Sequence, residues 1–275
     1  MRRVNDPAES ALRVNPLVAQ PDEVARLLPV GVHGAPGLPE GLVLEGPFDV
    51  RASELWSRGA VMAQSRGSML VTRLLAPRPG DRVLDLCAAP GGKTTHLAAL
   101  MADQGSVVAV ERHPGRAQAL SRTCARMRAT CVEVEVGDAA EFPASAPAAA
   151  TDGFDRVLVD PPCSGLGTLQ SRPDLRWHAG QRSITELAAL QTRILRAGAA
   201  ATRPGGVLVY SVCTISRAEG ADVVERFLSE HDCFTAEPTA VAAPPDPWTG
   251  RYAQLLPSRD GTDGFFIARL RRRED

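Results

Sequence analysis

The chain has 275 residues, 44% of them hydrophobic, with a formal net charge of −1 and six cysteines. That length suits one large domain, or a core domain with a small appendage, and can bury a self-sufficient core. No apolar run approaches the ~20 residues of a membrane span, the start Met1-Arg2-Arg3-Val4-Asn5-Asp6 lacks the apolar stretch of a secretory signal, and no Cys-x-x-Cys pair offers a zinc knuckle. A cytoplasmic protein without metal or disulfides is expected, monomeric by default, and most of its thiols should be buried. Positive charge rests on thirty arginines and one lysine, Lys93. Codon bias in a GC-rich genome accounts for most of that imbalance, and the single surviving lysine then hints that its compact ammonium is needed. Arginine groups at 112–128, 172–196 and 269–273 read equally well as solvated faces or as phosphate contacts.

Residues 1–58 differ in texture from the rest. Ala11-Leu12-Arg13-Val14-Asn15 is followed by a helix expected near 21–28, then by glycines and prolines to about Pro47. This reads as a small α+β appendage before a main domain at 59–275, with a helix at about 67–76 packing on that domain. From Val83 onward, short β-rich runs alternate with helical stretches, the pattern of a doubly wound α/β sheet. Strands are expected at 82–86, 107–111, 131–136, 154–160 and 207–211, with two more at 233–237 and 264–270. Helices are expected at 93–101, around Arg116, Arg122 and Arg126, and at about 186–202. Pro204-Gly205-Gly206 is a turn signal. Ser216 with Glu219 three residues on matches a capping box opening a further helix. Residues 143–151 form an alanine- and proline-rich linker, and a proline-rich loop at 244–257 could overhang a site.

Ligands of an open parallel sheet bind beyond the carboxyl ends of its strands. At the end of the first main-domain strand stands Cys87-Ala88-Ala89-Pro90-Gly91-Gly92-Lys93-Thr94. A phosphate-binding Gly-x-x-x-x-Gly-Lys-Ser/Thr loop would need glycine where Cys87 stands, and adjacent Gly91 and Gly92 break the Gly-x-Gly-x-x-Gly spacing. Glu111 lies 19 residues after Gly92, near the ~20 expected for a carboxylate on ribose hydroxyls. Asp138 and Asp160 follow the next two strands, and Asp138 could reach an adenine amino group. An adenosine-bearing cofactor without phosphates fits this set.

Asp160-Pro161-Pro162-Cys163 and, past a later strand, Cys213 carry the reactive chemistry. Carbon 5 of a pyrimidine is a poor nucleophile, but a thiolate added at carbon 6 makes the ring an enamine that can attack an electrophilic methyl group. A thiol of pKa ~8.5 is only partly ionised at neutral pH, so a neighbouring cation would help, and Lys93 is the candidate. One thiol attacks. The second can act as, or position, the base that removes the carbon 5 proton. Cys124, Cys131 and Cys233 read as buried structural thiols.

These residues resemble the S-adenosylmethionine-dependent RNA 5-methylcytosine methyltransferases of the Sun/NSUN type. The likeness is carried by Leu84-Asp85-Leu86-Cys87 through Thr94, by residues 159–165 and 210–215, by Arg172-Pro173-Asp174-Leu175-Arg176-Trp177 and by residues 260–266. Ala11 to Asn15 is similar to the start of the family's small RNA-recognition-like domain. The resemblance implies a class I Rossmann-like doubly wound, seven-stranded sheet with a small N-terminal appendage. It implies Cys213 as nucleophile, Cys163 as helper in proton removal and release, and Asp160 on the cytosine edge. Residues 87–93, Glu111, Asp138 and Asp160 would bind S-adenosylmethionine. The implied substrate is a cytosine in structured RNA, 16S ribosomal RNA ahead of transfer RNA. A non-catalytic RNA-binding or ribosome-assembly factor is the alternative. Departures are Glu111 in place of the usual aspartate, Val212 before the nucleophile in place of threonine, and Ser216-Arg217-Ala218-Glu219-Gly220 in place of a proline-glutamate-glutamate-asparagine run.

Overall fold

The computed structural model describes residues 5–142, 153–177, 180–239 and 251–274. The expected linker at 143–151 lies outside them, as do residues 244–250 of the expected overhanging loop. No helix among the described residues is long and apolar enough to cross a membrane.

The first unit is a four-stranded antiparallel sheet. In chain order it is β1 (Ala11–Val14), α1 (Pro21–Leu27), β2 (Val32–Gly34), β3 (Gly41–Leu44), α2 (Glu54–Ser57) and β4 (Val61–Ala63), with strand order β2-β3-β1-β4. Leu12, Val14, Val24, Leu42, Leu55 and Val61 close a small core between its helices and strands. Because β4 pairs with β1, we place the division between the units after Ala63 rather than at residue 58.

Helix α3 (Arg66–Leu75) starts the second unit. Its N-cap Ser65 accepts from Ser68 N, and Met69, Leu70, Val71, Leu74 and Leu75 bury its inner face. There follow β5 (Arg82–Leu86), α4 (Gly92–Leu100), β6 (Ser106–Glu111), α5 (Pro114–Arg126), β7 (Val132–Val136), β8 (Phe154–Val159), α6 (Gln181–Ala201), β9 (Thr202–Val212), α7 (Ala221–Glu230), β10 (Phe234–Glu237), β11 (Ala253–Leu255), α8 (Pro257–Asp260) and β12 (Phe265–Arg272). Seven strands run in the order β10-β12-β9-β8-β5-β6-β7, and β11 pairs with β12 as an eighth. The strands from β9 to β7 are parallel, and β12 is antiparallel to its neighbours. The central strands carry adjacent apolar residues on both faces because helices cover both sides of a parallel sheet. Val83, Leu84, Val157, Leu158, Val207 and Leu208 are all fully buried.

The chain winds from β5 outward to β7, then returns to β8 on the other side of β5. That reversal opens a crevice beyond the carboxyl ends of β5 and β8. The loops carrying residues 87–93 and 160–163 both start there.

Three local expectations are corrected. Pro204-Gly205-Gly206 does not end an element. Helix α6 runs directly into β9, and these residues bulge out where the β8 register jumps from Phe154–Thr202 to Arg156–Val207. The Ser216/Glu219 capping box does not form, since α7 begins after Gly220 with no side-chain cap. Part of the supposed overhanging loop is β11, bonded to β12.

Candidate active site

Strand β5 ends at Cys87 with φ of 68°, and Gly91 turns the chain into α4 at φ of 101°. A side chain at Gly91 would be strained at that φ, and its Cβ would fall 2.8 Å from Leu120 Cδ1. Beneath the loop, Thr94 Oγ1 donates to Asp85 Oδ2 at 2.7 Å and also reaches Ala88 O. Burial, with the nearby Asp160 charge adding to it against the Thr94 bond, pushes the Asp85 pKa up to about 7. Arg116 of α5 donates to Ala89 O at 2.9 Å, holding the far side of the loop.

The three acids stand where the strands leave the sheet. Glu111 is almost fully buried, accepts from His113 N at 2.9 Å and lies 3.5 Å from Arg116. Asp138 accepts from Ala140 N at 2.9 Å and lies 3.8 Å from Arg112. Asp160 accepts from Lys93 Nζ and from Ser211 Oγ, each at 2.7 Å, one on each oxygen. A carboxylate oxygen can accept twice, so both oxygens keep capacity. Burial works against the Lys93 ammonium, yet Asp160 holds its pKa above the ordinary lysine range.

Cys163, after the Pro161-Pro162 stop to β8, and Cys213, one residue past β9, bring their sulfurs to 3.3 Å as free thiols. The pair splits the proton unequally. The hydrogen bond from Cys163 and the charge of Lys93 favour the Cys213 thiolate and outweigh its burial and the charge of Asp160. Cys163, donating that bond in a buried setting, keeps its proton.

A cleft of about 500 Å³ runs past these groups, within the ~300–1,000 Å³ of small-molecule sites. Its wall includes Cys87, Ala89, Pro90, Glu111, Asp138, Asp160, Cys163 and Cys213. The other residues singled out in the sequence support that wall. Ala88 is turned into the core with Ala98 and Leu120, Gly91 and Gly92 form the turn, and Lys93 grips Asp160. Cys124 is buried and Cys131 and Cys233 are half-buried.

Sequence reasoning gave no individual site role to three contributors. Arg172 and Leu175 also line the cleft, and Leu175 lies over Gly165, whose φ is 69°. Glu219 is fully buried and accepts from Ser164 N at 2.8 Å, Ser164 Oγ at 2.5 Å, Gln191 Nε2 at 3.2 Å and Thr214 Oγ1 at 3.3 Å. Its local pattern mimicked a helix cap and gave no hint of these distant partners. Three of the four arginines at 269–273 bond within the protein: Arg269 and Arg271 pair with Glu237, and Arg272 donates to Thr202 O.

The model of the family described as 16S rRNA methyltransferase RsmB/F matches residues 72–271, from within α3 to within β12. The chain belongs to that family. Every site residue above lies inside the RsmB/F match, and the small antiparallel sheet lies outside it. Ribosomal RNA small subunit methyltransferase B of Klebsiella pneumoniae is 38% identical over 269 residues, 96% of this chain and 59% of that protein. The protein of Synechocystis sp. named "Probable ribosomal RNA small subunit methyltransferase B" is 38% identical over 268 residues, 95% of this chain and 59% of its own length. This RsmB/F member therefore spans 59% of the length of these two curated relatives. The crystal structure of a methyltransferase homolog protein from Pyrococcus horikoshii superposes with a TM-score of 0.86 at 27% identity, covering 98% of this chain and 88% of that one. The fold of this chain is thus a mostly parallel, methyltransferase-type sheet within the RsmB/F match, with an appended small unit before it.

Proposed function

We propose that the chain transfers a methyl group from S-adenosylmethionine to carbon 5 of a cytosine in 16S ribosomal RNA. The observation that carries this reading is the pair of free thiols 3.3 Å apart, beside Asp160 and Lys93, at one wall of the cleft. The names of the curated relatives support ribosomal over transfer RNA. A cytoplasmic place of work follows from that substrate.

The donor set suits S-adenosylmethionine. Carboxylates at Glu111, Asp138 and Asp160 offer acceptors for hydroxyl and amino groups, and the same acids would repel a polyphosphate. Glu111 would hold the ribose, Asp138 the adenine amino group, and residues 87–93 the remainder. When bound, the donor supplies an electrophilic methyl group on a sulfonium.

The protein's residues prepare the base. A stacked cytosine cannot expose carbon 6, so the target must be flipped out or lie in a loop. Asp160, fixed by Lys93 and Ser211, accepts a hydrogen bond from the cytosine amino edge. The Cys213 thiolate forms a bond to carbon 6, and the electron pair of the carbon 5–carbon 6 double bond moves to make carbon 5 nucleophilic. After methylation, the carbon 5 proton passes to a solvent water that Cys163 helps to position. The electrons of that C–H bond restore the double bond, and the carbon 6–sulfur pair returns to Cys213.

Labelled-methyl transfer to unmodified ribosomal RNA tests the reading. Cys213→Ala should abolish transfer while retaining donor binding, and Cys163→Ala should accumulate an RNA-linked protein on a denaturing gel. Full turnover by Cys213→Ala would overturn the assignment. An intact thiol pair argues against a purely RNA-binding role, and absence of transfer by the wild-type chain would favour it.

A further inference from the structure

Glu219 takes no part in the chemistry above, yet its carboxylate is bonded to both thiol-bearing loops. Ser164, which holds its Oε1 through N–H and its Oε2 through Oγ, is the residue after Cys163. Thr214, on Oε2, is the residue after Cys213. The two hydroxyls lie 3.0 Å apart, and Gln191 Nε2 bridges from α6 to Oε1 and to Pro162 O. Tyr210 on β9 donates to the backbone oxygen of Glu219 at 2.6 Å, fixing the origin of the side chain.

We propose that Glu219 is the positioning residue that sets the separation of the Cys163 and Cys213 sulfurs. Each loop is held one bond away from its cysteine, so the carboxylate acts as a strut between them. It touches neither sulfur. The proposal rests on the catalytic reading above, because the separation matters only if both thiols act on one base. Displacing a reacting group by about 1 Å typically costs about a hundredfold in rate.

Length and charge of the strut can be varied separately. Glu219→Asp keeps the carboxylate but shortens its reach by one methylene. Glu219→Gln keeps the reach, its oxygen can still accept from Ser164 N and Gln191 Nε2, and its amide can donate to the two rotatable hydroxyls. Cys163, Asp160, Lys93 and Asp263, the groups whose charge or hydrogen bond acts on Cys213, are unchanged in both variants.

Iodoacetamide alkylation of Cys213 in the full chain, without RNA, is followed by mass spectrometry from about pH 5 to about pH 10, alongside kcat and KM for methylation. Glu219→Asp should raise the alkylation midpoint by about one pH unit and lower kcat about tenfold or more, with KM changed less than about twofold. Glu219→Gln should stay within about threefold of wild type in kcat. Equal damage in Gln and Asp would overturn the proposal in favour of a role for charge. A wild-type profile in Glu219→Asp would overturn it outright. Should Glu219→Asp fail to fold, Thr214→Val removes the bond from the Cys213 loop to Glu219, together with the Thr214 contacts to Ser164 Oγ and Ser216 N, and an unshifted midpoint there is equally fatal. Because alkylation needs no RNA, a wild type that methylates nothing while these midpoint shifts hold would sink the proposed function and leave the strut standing.

Discussion

Asp85 sits under the glycine loop with a pKa raised from 3.8 to about 7. An unfolded chain releases that proton near pH 4 and the folded protein near pH 7, so in between the fold retains a proton that unfolding would release. Its stability therefore falls as pH rises through that window, and the penalty is constant above it. Asn in its place can still accept from Thr94 and never ionises. The thermal unfolding midpoint of Asp85→Asn should match wild type near pH 4 and exceed it increasingly up to pH 7. The ceiling is about 4 kcal/mol, at ~1.4 kcal/mol per pKa unit. A constant offset at all pH values would contradict the titration. In the sequence the same buried residue was one member of the Leu84-to-Thr94 segment and a polar position in a strand, with no sign of its titration.

Among elements, those buried on both faces were legible, because Val83-Leu84, Val157-Leu158-Val159 and Val207-Leu208-Val209 put apolar residues on both sides of a strand, which only a sheet covered on both faces can bury. The acids at the strand ends and the two cysteines were legible for the same reason, since a strand's end places its next residue at the sheet edge. What local pattern could not supply was any role set by distant partners. Glu219 looked like a cap, Pro204-Gly205-Gly206 looked like a stop, and 253–255 looked like loop. The short helical turn at Pro173–Trp177 belongs here too. It is anchored by Leu175 over Gly165, carries Arg172 on the cleft wall, and leaves Trp177 86% exposed. If the chain acts on RNA as proposed, a bare indole two residues from the cleft-lining Leu175 suits stacking on an unpaired base, worth ~1–3 kcal/mol. Trp177→Ala should therefore raise KM for RNA about fivefold to a hundredfold, leaving donor affinity and the melting temperature unchanged. A lowered melting temperature would instead make the residue part of the packing.

At the scale of the whole molecule, the motif Ala11 to Asn15 works as a latch between the two units. Arg13 is fully buried and reaches Thr95 Oγ1 at 2.8 Å and Gly92 O at 3.3 Å, at the start of α4. Asn15 Nδ2 donates to Gly59 O and, at 2.8 Å, to Met127 O beyond α5. Arg126 adds bonds from α5 to Trp56 O and Val61 O, with its guanidinium 3.7 Å from the Trp56 ring centroid. The small sheet is thus bolted to the helices behind the 87–93 loop, and should unfold with the main sheet in one transition. Asn15→Ala strands two buried carbonyls and should lower the unfolding free energy by about 2–3 kcal/mol, read as a shift in the urea midpoint. Two separate transitions in the wild type would show that the latch is weak.

Lys93 is the chain's single lysine, and its ammonium lies 2.7 Å from Asp160 and 5.4 Å from the centre of the Phe265 ring. Protein grown on isotopically labelled lysine therefore carries one side-chain ammonium resonance, and that resonance reports directly on Asp160. On the proposed mechanism, arrival of a flipped base against Asp160 becomes visible as movement of a single peak, with no assignment problem to solve.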